Sequence, residues 1–169
     1  MKNVPARIMV VGIPNVGKSS FINKLSGRAG AKTGDRPGVT TAKQWIRISG
    51  GYELLDTPGI LWPKFDDEIT GQHLAFTGAV KDDIYDTEEA ASLLCGYLAE
   101  KHPKKLMEVY KLDNIDGLSG YEILECIGRK RGCIISGGNV DTERASKILL
   151  NEFRGCKLGN ISLEEPYEQ

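Results

Sequence analysis

The sequence predicts an α/β fold, in which a small sheet with three recognisable strands precedes an all-helical region. Three observations lead to this prediction. An apolar run at residues 7–11 ends at a glycine, and two strand-like runs follow with a Ser-Gly-Gly turn between them. Beyond about residue 63 the spacing of apolar residues becomes helical. We therefore expect two domains, residues 1–65 and residues 66–169.

The first strand and the first helix have distinct apolar patterns. The nearly continuous run at 7–11 is typical of a strand buried on both faces, as in a parallel sheet. Residues 18–26 place Phe21, Ile22 and Leu25 at the spacing of one helical face, which predicts a helix.

The next segment is predicted to be a loop followed by a hairpin. Residues 28–42 are rich in Gly, Thr and Lys, which indicates a loop. The runs at 43–48 and 52–56 form the two strands of the hairpin. Because the apolar Ile46 and Ile48 alternate with Trp45 and the polar Arg47, one face of the first of these strands is expected to meet water.

The remaining elements are predicted to be helices. Asp86 is placed to cap one of them, and the Ser119 to Glu122 spacing fits a capping box for another. The predicted helices span residues 67–80, 87–101, 104–111, 119–131 and 141–154.

Composition limits the possible classes of protein. The 169 residues are 40% hydrophobic and 27% charged, as in a globular protein, and the net charge is −1. No apolar run approaches the roughly 18 residues of a membrane span, and the first eleven residues lack the features of a secretory signal. We expect a cytoplasmic protein without a membrane or DNA partner.

The cysteines do not indicate a metal site or a disulfide framework. None of the four forms a C-x-x-C pair, and neither histidine is spaced with them as a ligand. We expect reduced cysteines within helices, at positions Cys95, Cys126, Cys133 and Cys156.

The strongest motif is GIPNVGKS at residues 12–19, which matches G-x-x-x-x-G-K-[ST] between a predicted strand and a predicted helix. The glycines allow backbone N–H groups to surround phosphate oxygens, and the helix N-terminus favours the same anion. Lys18 is expected to reach the β- and γ-phosphates, and the Ser19 hydroxyl to bind Mg²⁺. A chance match on a glycine-rich turn is the alternative, which the strand–loop–helix context disfavours.

The second motif is DTPG at residues 56–59. Taken alone it is an ordinary turn. It follows Ser19 by 37 residues, with a predicted hairpin between them. In that position the Asp56 carboxylate can hold Mg²⁺, as the second acidic anchor of P-loop enzymes does. Gly59 can bring its N–H close to a γ-phosphate.

The third motif is GVTT at residues 38–41, in the loop before the hairpin. A threonine in such a loop can close over Mg²⁺ and the γ-phosphate and so order the loop in the triphosphate state. We select Thr40 for this role, with Thr41 in reserve. The alternative is a pair of β-branched residues entering a strand.

These motifs resemble those of the translation-factor-related GTPases. The stretches AKTGDRPGVTT at 31–41 and LLDTPGILWPKF at 54–65 narrow the resemblance to the circularly permuted GTPases of ribosome biogenesis. The later RGC at 131–133, SGG at 136–138 and the helical tail fit the same family, so the resemblance covers nearly the whole chain.

The resemblance implies a partial P-loop GTPase sheet and a helical C-terminal domain that contacts the ribosome or its RNA. It implies a monomeric GTPase, acting with GTP and Mg²⁺ in assembly of the large ribosomal subunit and contacting that subunit and its rRNA. Lys18 and Thr40 would act in catalysis, Ser19, Thr40 and Asp56 would hold Mg²⁺, and Asn15 would help bind K⁺. The implied nucleotide-binding residues are Asn15, Val16, Gly17, Lys18, Ser19, Ser20 and Gly59.

Two departures from a complete GTPase pattern stand out. Ile60 occupies the place where Ras-like enzymes carry a glutamine that orients the attacking water, and a hydrophobic side chain cannot do that. The chain contains no N-K-x-D or T-K-x-D motif for reading guanine. We therefore expect a fragment that starts just before the P-loop, with an unpaired, apolar edge on its first strand.

The helical region raises alternatives. Its basic clusters could contact rRNA phosphates or simply be solvated helix ends. The segment at 62–65 (WPKF) is expected to dock the helical half onto the sheet, or else to meet the ribosome. The alternative functions are a ribosome- or RNA-binding fragment without hydrolysis, and an ATP-using P-loop enzyme. The two clusters are Lys101, His102, Lys104 and Lys105, and Arg129, Lys130 and Arg131.

Overall fold

A computed structural model describes residues 5–27, 40–61 and 67–164. The chain divides into two compact units. The first comprises Met1–Asp66 with Gly78–Lys81, and the second comprises Asp67–Thr77 with Asp82–Gln169. The α/β class predicted from the sequence is confirmed, with a three-stranded sheet and six helices in the described ranges.

The first unit contains the sheet and one helix. The strands lie in the order β1-β3-β2, with β1 parallel and β2 antiparallel to the central β3. The predicted helix has the expected bounds, and the strands lie within one residue of the predicted ones. The elements are β1 (Ala6–Val10), α1 (Lys18–Ser26), β2 (Gln44–Ile48) and β3 (Tyr52–Asp56).

The expectation that β1 is buried on both faces is wrong for the described chain. Ile8 is 44% exposed and Met9 62% exposed. The reason is that Ile22 of α1 packs over Ile46 of β2 and Leu54 of β3 rather than over β1. In addition, no strand in the described ranges pairs with the second edge of β1. The unpaired, apolar edge expected on this strand is therefore present among the described residues.

The core of the first unit is small and lies on one face of the sheet. Ile22 of α1 packs against Ile46 and Leu54, which confirms that Ile46 faces inward. On the opposite face, Glu53 accepts hydrogen bonds from Arg7 at 3.2 Å and from Arg47 at 3.1 Å. These two bonds lower the pKa of the Glu53 carboxyl below its usual value.

The second unit is all helical, as predicted. Its core is formed by apolar faces of the five helices together with the turn residues Leu112, Ile115, Cys133 and Leu158. No described helix is both long and apolar enough to cross a membrane. The helices are α2 (Glu68–Phe76), α3 (Thr87–Lys101), α4 (Pro103–Tyr110), α5 (Gly120–Lys130) and α6 (Thr142–Arg154).

The main difference from the predicted bounds concerns α2, which was expected to continue to residue 80. It ends at Phe76, and the Thr77 N–H and hydroxyl both donate back to the His73 carbonyl in its last turn. Gly78 then adopts a φ of 71°, the left-handed conformation that ends many helices. The apolar residues beyond this point continue the helical spacing without continuing the helix.

Side-chain caps fix the starts of four of the helices. Asp67, Asp86 and Asp141 accept backbone N–H bonds at the N-termini of α2, α3 and α6. The expected capping box at α5 is confirmed, with Ser119 accepting from Glu122 N–H and the Glu122 carboxylate accepting from Ser119 N–H. Each such cap stabilises its helix by about 1 kcal/mol.

Arg154 joins the end of α6 to the end of α2. Its guanidinium donates to the carbonyls of Ala75 (2.8 Å) and Phe76 (3.1 Å), which are among the last acceptors of α2. It also bonds the Asp82 carboxylate and, at 2.8 Å, the Tyr85 hydroxyl. A cation at a helix C-terminus complements the helix dipole, so this contact closes one end of the helical unit.

The cysteines are free, as expected, but only two of them lie in helices. Cys95 is buried in α3, where burial raises the pKa of its thiol, and Cys126 lies in α5. Cys133 and Cys156 lie in the turns after α5 and α6, because each helix ends shortly before its cysteine.

Two glycines in the helical unit have opposite surroundings. A Cβ at Gly120 would lie 2.0 Å from the Ser92 carbonyl oxygen, so α5 approaches α3 at a distance that only glycine permits. A Cβ at Gly96, on the exposed side of α3, would meet nothing within 4 Å.

We expect Gly120→Ala to destabilise the helical unit by about 1–3 kcal/mol, the usual cost of overpacking. The matched variant Gly96→Ala should stabilise it by about 0.5–1 kcal/mol, because alanine favours the helix and meets open space. Urea unfolding followed by helical circular dichroism measures both. Equal effects from the two variants would contradict the close α3–α5 approach.

Candidate functional site

The loop at residues 12–19 connects β1 to α1 and has an unusual backbone. Gly17 has a φ of 87° and Asn15 a φ of 59°, both in the left-handed region. A non-glycine residue there is uncommon, and asparagine is one of the few types that tolerate it. Left-handed residues of this kind bend successive peptide units into concave nests that bind anions.

The N-terminus of α1 lacks the side-chain cap that four of the other helices have. Its N-cap is Gly17, which has no side chain to accept a bond, and its first turn contains no acidic residue. Free N–H groups and the positive end of the helix dipole are the features that bind phosphate. Because the loop delivers these groups at the end of β1, the arrangement predicted from the sequence is present.

The side chain of Lys18 folds back over the loop. Its Nζ donates to the Ile13 carbonyl oxygen at 2.8 Å. Partial burial lowers the pKa of Lys18, and the negative charge of Asp56 acts in the opposite direction. The ammonium therefore lies beside the anion-binding loop, held by a neutral carbonyl that a phosphate oxygen can replace.

Three predicted magnesium ligands converge, although they come from separate parts of the chain. The Ser19 hydroxyl lies 2.9 Å from Asp56 Oδ2 and 3.0 Å from the Thr40 hydroxyl. The Thr40 hydroxyl lies 3.5 Å from the same carboxylate oxygen. Asp56 is 1% exposed, and its buried Oδ1 has no hydrogen-bond partner among the described residues.

This donor set fits Mg²⁺. Two hydroxyls and one carboxylate are hard oxygen ligands, and Mg²⁺ commonly takes one or two carboxylates and completes its shell with water and substrate phosphates. The orphaned Asp56 Oδ1 supplies acceptor capacity that the described residues leave unused. No cluster of three His, Cys, Asp or Glu side chains suited to a metal occurs in the described ranges, so the site does not resemble one for zinc.

The DTPG segment is packed closely on the phosphate loop. A Cβ at Gly59 would lie 2.4 Å from the backbone N and Cα of Pro14, so only glycine fits there. Thr57 is 6% exposed, and its hydroxyl donates to the Val10 carbonyl at 2.7 Å. Sequence reasoning did not assign Thr57 or Pro14 a role, although both lie inside the motifs that it identified.

Other predicted site residues lie around this centre. Val16 and Ser20 are exposed beside Gly17 and Ser19, and the reserve residue Thr41 is exposed too. Ile60 is 78% exposed and contributes no polar group. The segments at 31–39 and 62–65, which carried part of the family resemblance, lie outside the described residues.

The two basic clusters of the helical unit are not equivalent. Arg131 was grouped with Arg129 and Lys130 as a candidate RNA contact, but the structure engages it internally. Its guanidinium bonds Glu152 at 3.0 Å and lies 4.8 Å from the centre of the Tyr110 ring. Arg131, the residue after α5, is therefore only partly exposed, whereas Arg129 and Lys130 at the end of α5 are exposed.

Comparison with known proteins gives a family match and several named relatives. Residues 7–116 match the family model described as 50S ribosome-binding GTPase. A protein of Bacillus cereus named Ribosome biogenesis GTPase A is 49% identical over 162 residues, which cover 96% of this chain and 54% of the relative. The Thermotoga maritima protein of the same name is 32% identical over 161 residues, 95% of this chain and 57% of the relative.

Two solved structures match nearly the whole chain. A GDP-bound structure of TM YlqF matches 99% of this chain and 63% of its own length, with a TM-score of 0.66 and 29% identity. A GNP-bound structure of YlqF from T. maritima has a TM-score of 0.62 and 28% identity, covering all of this chain and 63% of its own. The chain spans about half the length of the curated relatives that it matches. Because this family model matches residues 7–116, more than half of the chain, the chain belongs to the 50S ribosome-binding GTPase family.

Proposed function

We propose that the chain carries the phosphate- and magnesium-binding part of a protein that hydrolyses GTP during assembly of the large ribosomal subunit. The observation that carries this proposal is the meeting of Ser19, Thr40 and Asp56 beside Lys18 and an uncapped helix N-terminus. The relatives named Ribosome biogenesis GTPase A support the ribosomal part.

Each of these residues has a distinct task in the proposal. The α1 N-terminus and the loop N–H groups bind the phosphates, and Lys18 exchanges its bond to Ile13 for phosphate oxygens. The hydroxyls of Ser19 and Thr40 hold Mg²⁺, with Asp56 anchoring it directly or through water. Mg²⁺ held by these residues would supply positive charge to the phosphate oxygens. Val16, Gly17 and Ser20 would contact the nucleotide through their backbone or side chains, and Gly59 would offer its N–H to the γ-phosphate.

Hydrolysis also requires an oriented water, and Ile60 cannot provide this. Its side chain has no donor or acceptor and is 78% exposed. Turnover by the protein alone should therefore be slow, with a water-positioning group supplied from elsewhere. In this proposal the large subunit supplies or organises that group. Asn15 would help to hold a K⁺ ion, which would add positive charge there.

Contact with rRNA is assigned to the exposed basic residues of the helical unit. Lys104 and Lys105 lie near the start of α4, and Arg129 and Lys130 end α5. Arg131 is left out because Glu152 and Tyr110 already engage it. Phosphate contacts by lysine and arginine give sequence-independent, salt-dependent binding, which suits a structured RNA surface.

The exposed, apolar Ile60 also favours a second candidate, a ribosome-binding module that binds nucleotide without hydrolysing it. The two candidates differ in one measurable respect. The enzyme releases phosphate from GTP in the presence of the subunit, whereas the binding module does not.

The first prediction from the proposed function concerns the nucleotide. The full-length protein should bind GTP in preference to ATP and release phosphate slowly alone and faster with purified large subunits. Competition of unlabelled ATP against labelled GTP, together with phosphate release in K⁺ and in Na⁺ buffer, measures these properties. Preference for ATP would reject a GTPase. Binding to the subunit without phosphate release under any condition would favour the binding module.

The second prediction concerns Mg²⁺. Asp56→Asn keeps the shape but removes the charge, so affinity for a non-hydrolysable GTP analogue with Mg²⁺ should fall by about 10- to 100-fold, the loss of a bond to a charged group. In EDTA the variant and the unaltered protein should differ little. Asp116→Asn, at an exposed turn of the helical unit, is the matched control. An unchanged Mg²⁺ requirement would remove Asp56 from the site.

The third prediction concerns RNA. The double variant Lys104→Glu, Lys105→Glu should weaken binding to the large subunit. The slope of the logarithm of the binding constant against the logarithm of the salt concentration (the salt slope) should become shallower by about one for each phosphate that these lysines neutralise. Lys147→Glu is the control, since Lys147 is an exposed lysine that pairs with Glu143 on α6. Sedimentation with subunits at several salt concentrations reports both quantities. The same salt slope in all three proteins would exclude this surface.

A further inference from the structure

A threonine directly follows β3, at the end of the sheet where β1 and β3 both stop and the two nucleotide-binding loops begin. Val10 is paired with Asp56 at the end of the parallel ladder. The N–H of Ala6 donates to the Gly51 carbonyl, so the backbone groups of Ala6 face β3. In a parallel ladder every second residue has this orientation, so the Val10 carbonyl also faces β3. The Thr57 hydroxyl donates to that carbonyl at 2.7 Å.

This bond joins two segments that must stay in fixed relation. Val10 precedes the phosphate loop directly, and Thr57 lies between Asp56 and the rest of the DTPG segment. Thr57 is 6% exposed, so the bond is shielded from competing water. Gly59 makes the second contact, with its Cα against the backbone of Pro14.

The same geometry determines where Asp56 lies. Its carboxylate is 2.9 Å from the Ser19 hydroxyl, a distance that depends on the end of β3 staying level with the phosphate loop. A shift of the Asp56 backbone by a fraction of this distance would separate the carboxylate from Ser19. The hydroxyl–carbonyl bond of the next residue opposes such a shift.

We propose that Thr57 is a positioning residue, whose hydroxyl bond to Val10 fixes the DTPG segment on the phosphate loop and so sets Asp56 and Gly59 for Mg²⁺ and the γ-phosphate. The inference rests on the proposed function, because it concerns the same site. It assigns Thr57 no contact with nucleotide or metal. A substitution of Thr57 should therefore change the ratio between the affinities for triphosphate and diphosphate.

The test compares three side chains at position 57 in the full-length protein. Thr57→Val keeps the branched shape and removes the donor, and Thr57→Ser keeps the donor and removes the methyl group. The affinities for a non-hydrolysable GTP analogue and for GDP are measured by fluorescence titration over a range of Mg²⁺ concentrations. Thermal unfolding of each protein is recorded without nucleotide.

We expect Thr57→Val to weaken Mg²⁺-dependent binding of the triphosphate analogue about tenfold, as for a buried acceptor left without its partner. GDP binding should change less than about threefold, because it lacks the γ-phosphate that Gly59 approaches. Thr57→Ser should restore the triphosphate affinity to within about threefold of the unaltered protein, since it retains the hydroxyl bond.

Equal weakening of both nucleotides in Thr57→Val, or failure of Thr57→Ser to restore the ratio, would overturn the inference and leave Thr57 as a packing residue. If the valine variant does not fold, Thr57→Ala is used in its place with the same two criteria. Failure of the proposed function is distinguishable, because then the unaltered protein itself shows no Mg²⁺-dependent binding of the triphosphate.

Discussion

The buried carboxylate of Asp56 constrains the arrangement of the whole first unit. A charged group that is almost fully shielded from water must be compensated by hydrogen bonds or a cation. Ser19 at the start of α1 and Thr40 before β2 both donate their hydroxyls to its Oδ2. Since β3 is the central strand, it can hold this carboxylate between a helix on one side and a loop on the other.

The two units differ in how much of their stability their own packing provides. In the described ranges, the core of the first unit consists of Ile22, Ile46 and Leu54, whereas the helical unit has an extensive core spanning all five helices. A small core contributes little hydrophobic stabilisation. Nucleotide and Mg²⁺ bound only to the folded form would add stability in proportion to the logarithm of their concentration. Under the proposed function, ligand binding would therefore make up a larger share of the stability of the first unit than packing of its small core suggests.

Elements with a local signal were predictable from the sequence. The P-loop pattern, the bounds of α1 and α3 and the capping box of α5 are each specified by residues within a few positions of one another. The convergence of Ser19 with Asp56 was expected only because two known motifs occurred at a suitable separation. The early end of α2 was missed, since it depends on a turn that its apolar spacing does not reveal.

Features that depend on distant partners could not be predicted. Arg131 lies in a run of basic residues, and nothing nearby indicates that Glu152 and Tyr110 will engage it. The bond between Thr57 and Val10 joins residues 47 positions apart through the parallel pairing of β1 and β3. The exposure of β1 follows from its place at the edge of the described sheet, whereas its composition suggests a central strand.

Among the described strands β1 is paired on one side only, which has a consequence for hydrogen–deuterium exchange of its backbone amides. In a parallel edge strand, alternate residues direct both backbone groups to the partner and the others direct theirs away. The bond from Ala6 to Gly51 places Ala6, Ile8 and Val10 in the first set and Arg7 and Met9 in the second. Exchange rates along this five-residue strand should therefore alternate, slow and fast, and a partner strand added to the open edge would slow only the amides of Arg7 and Met9.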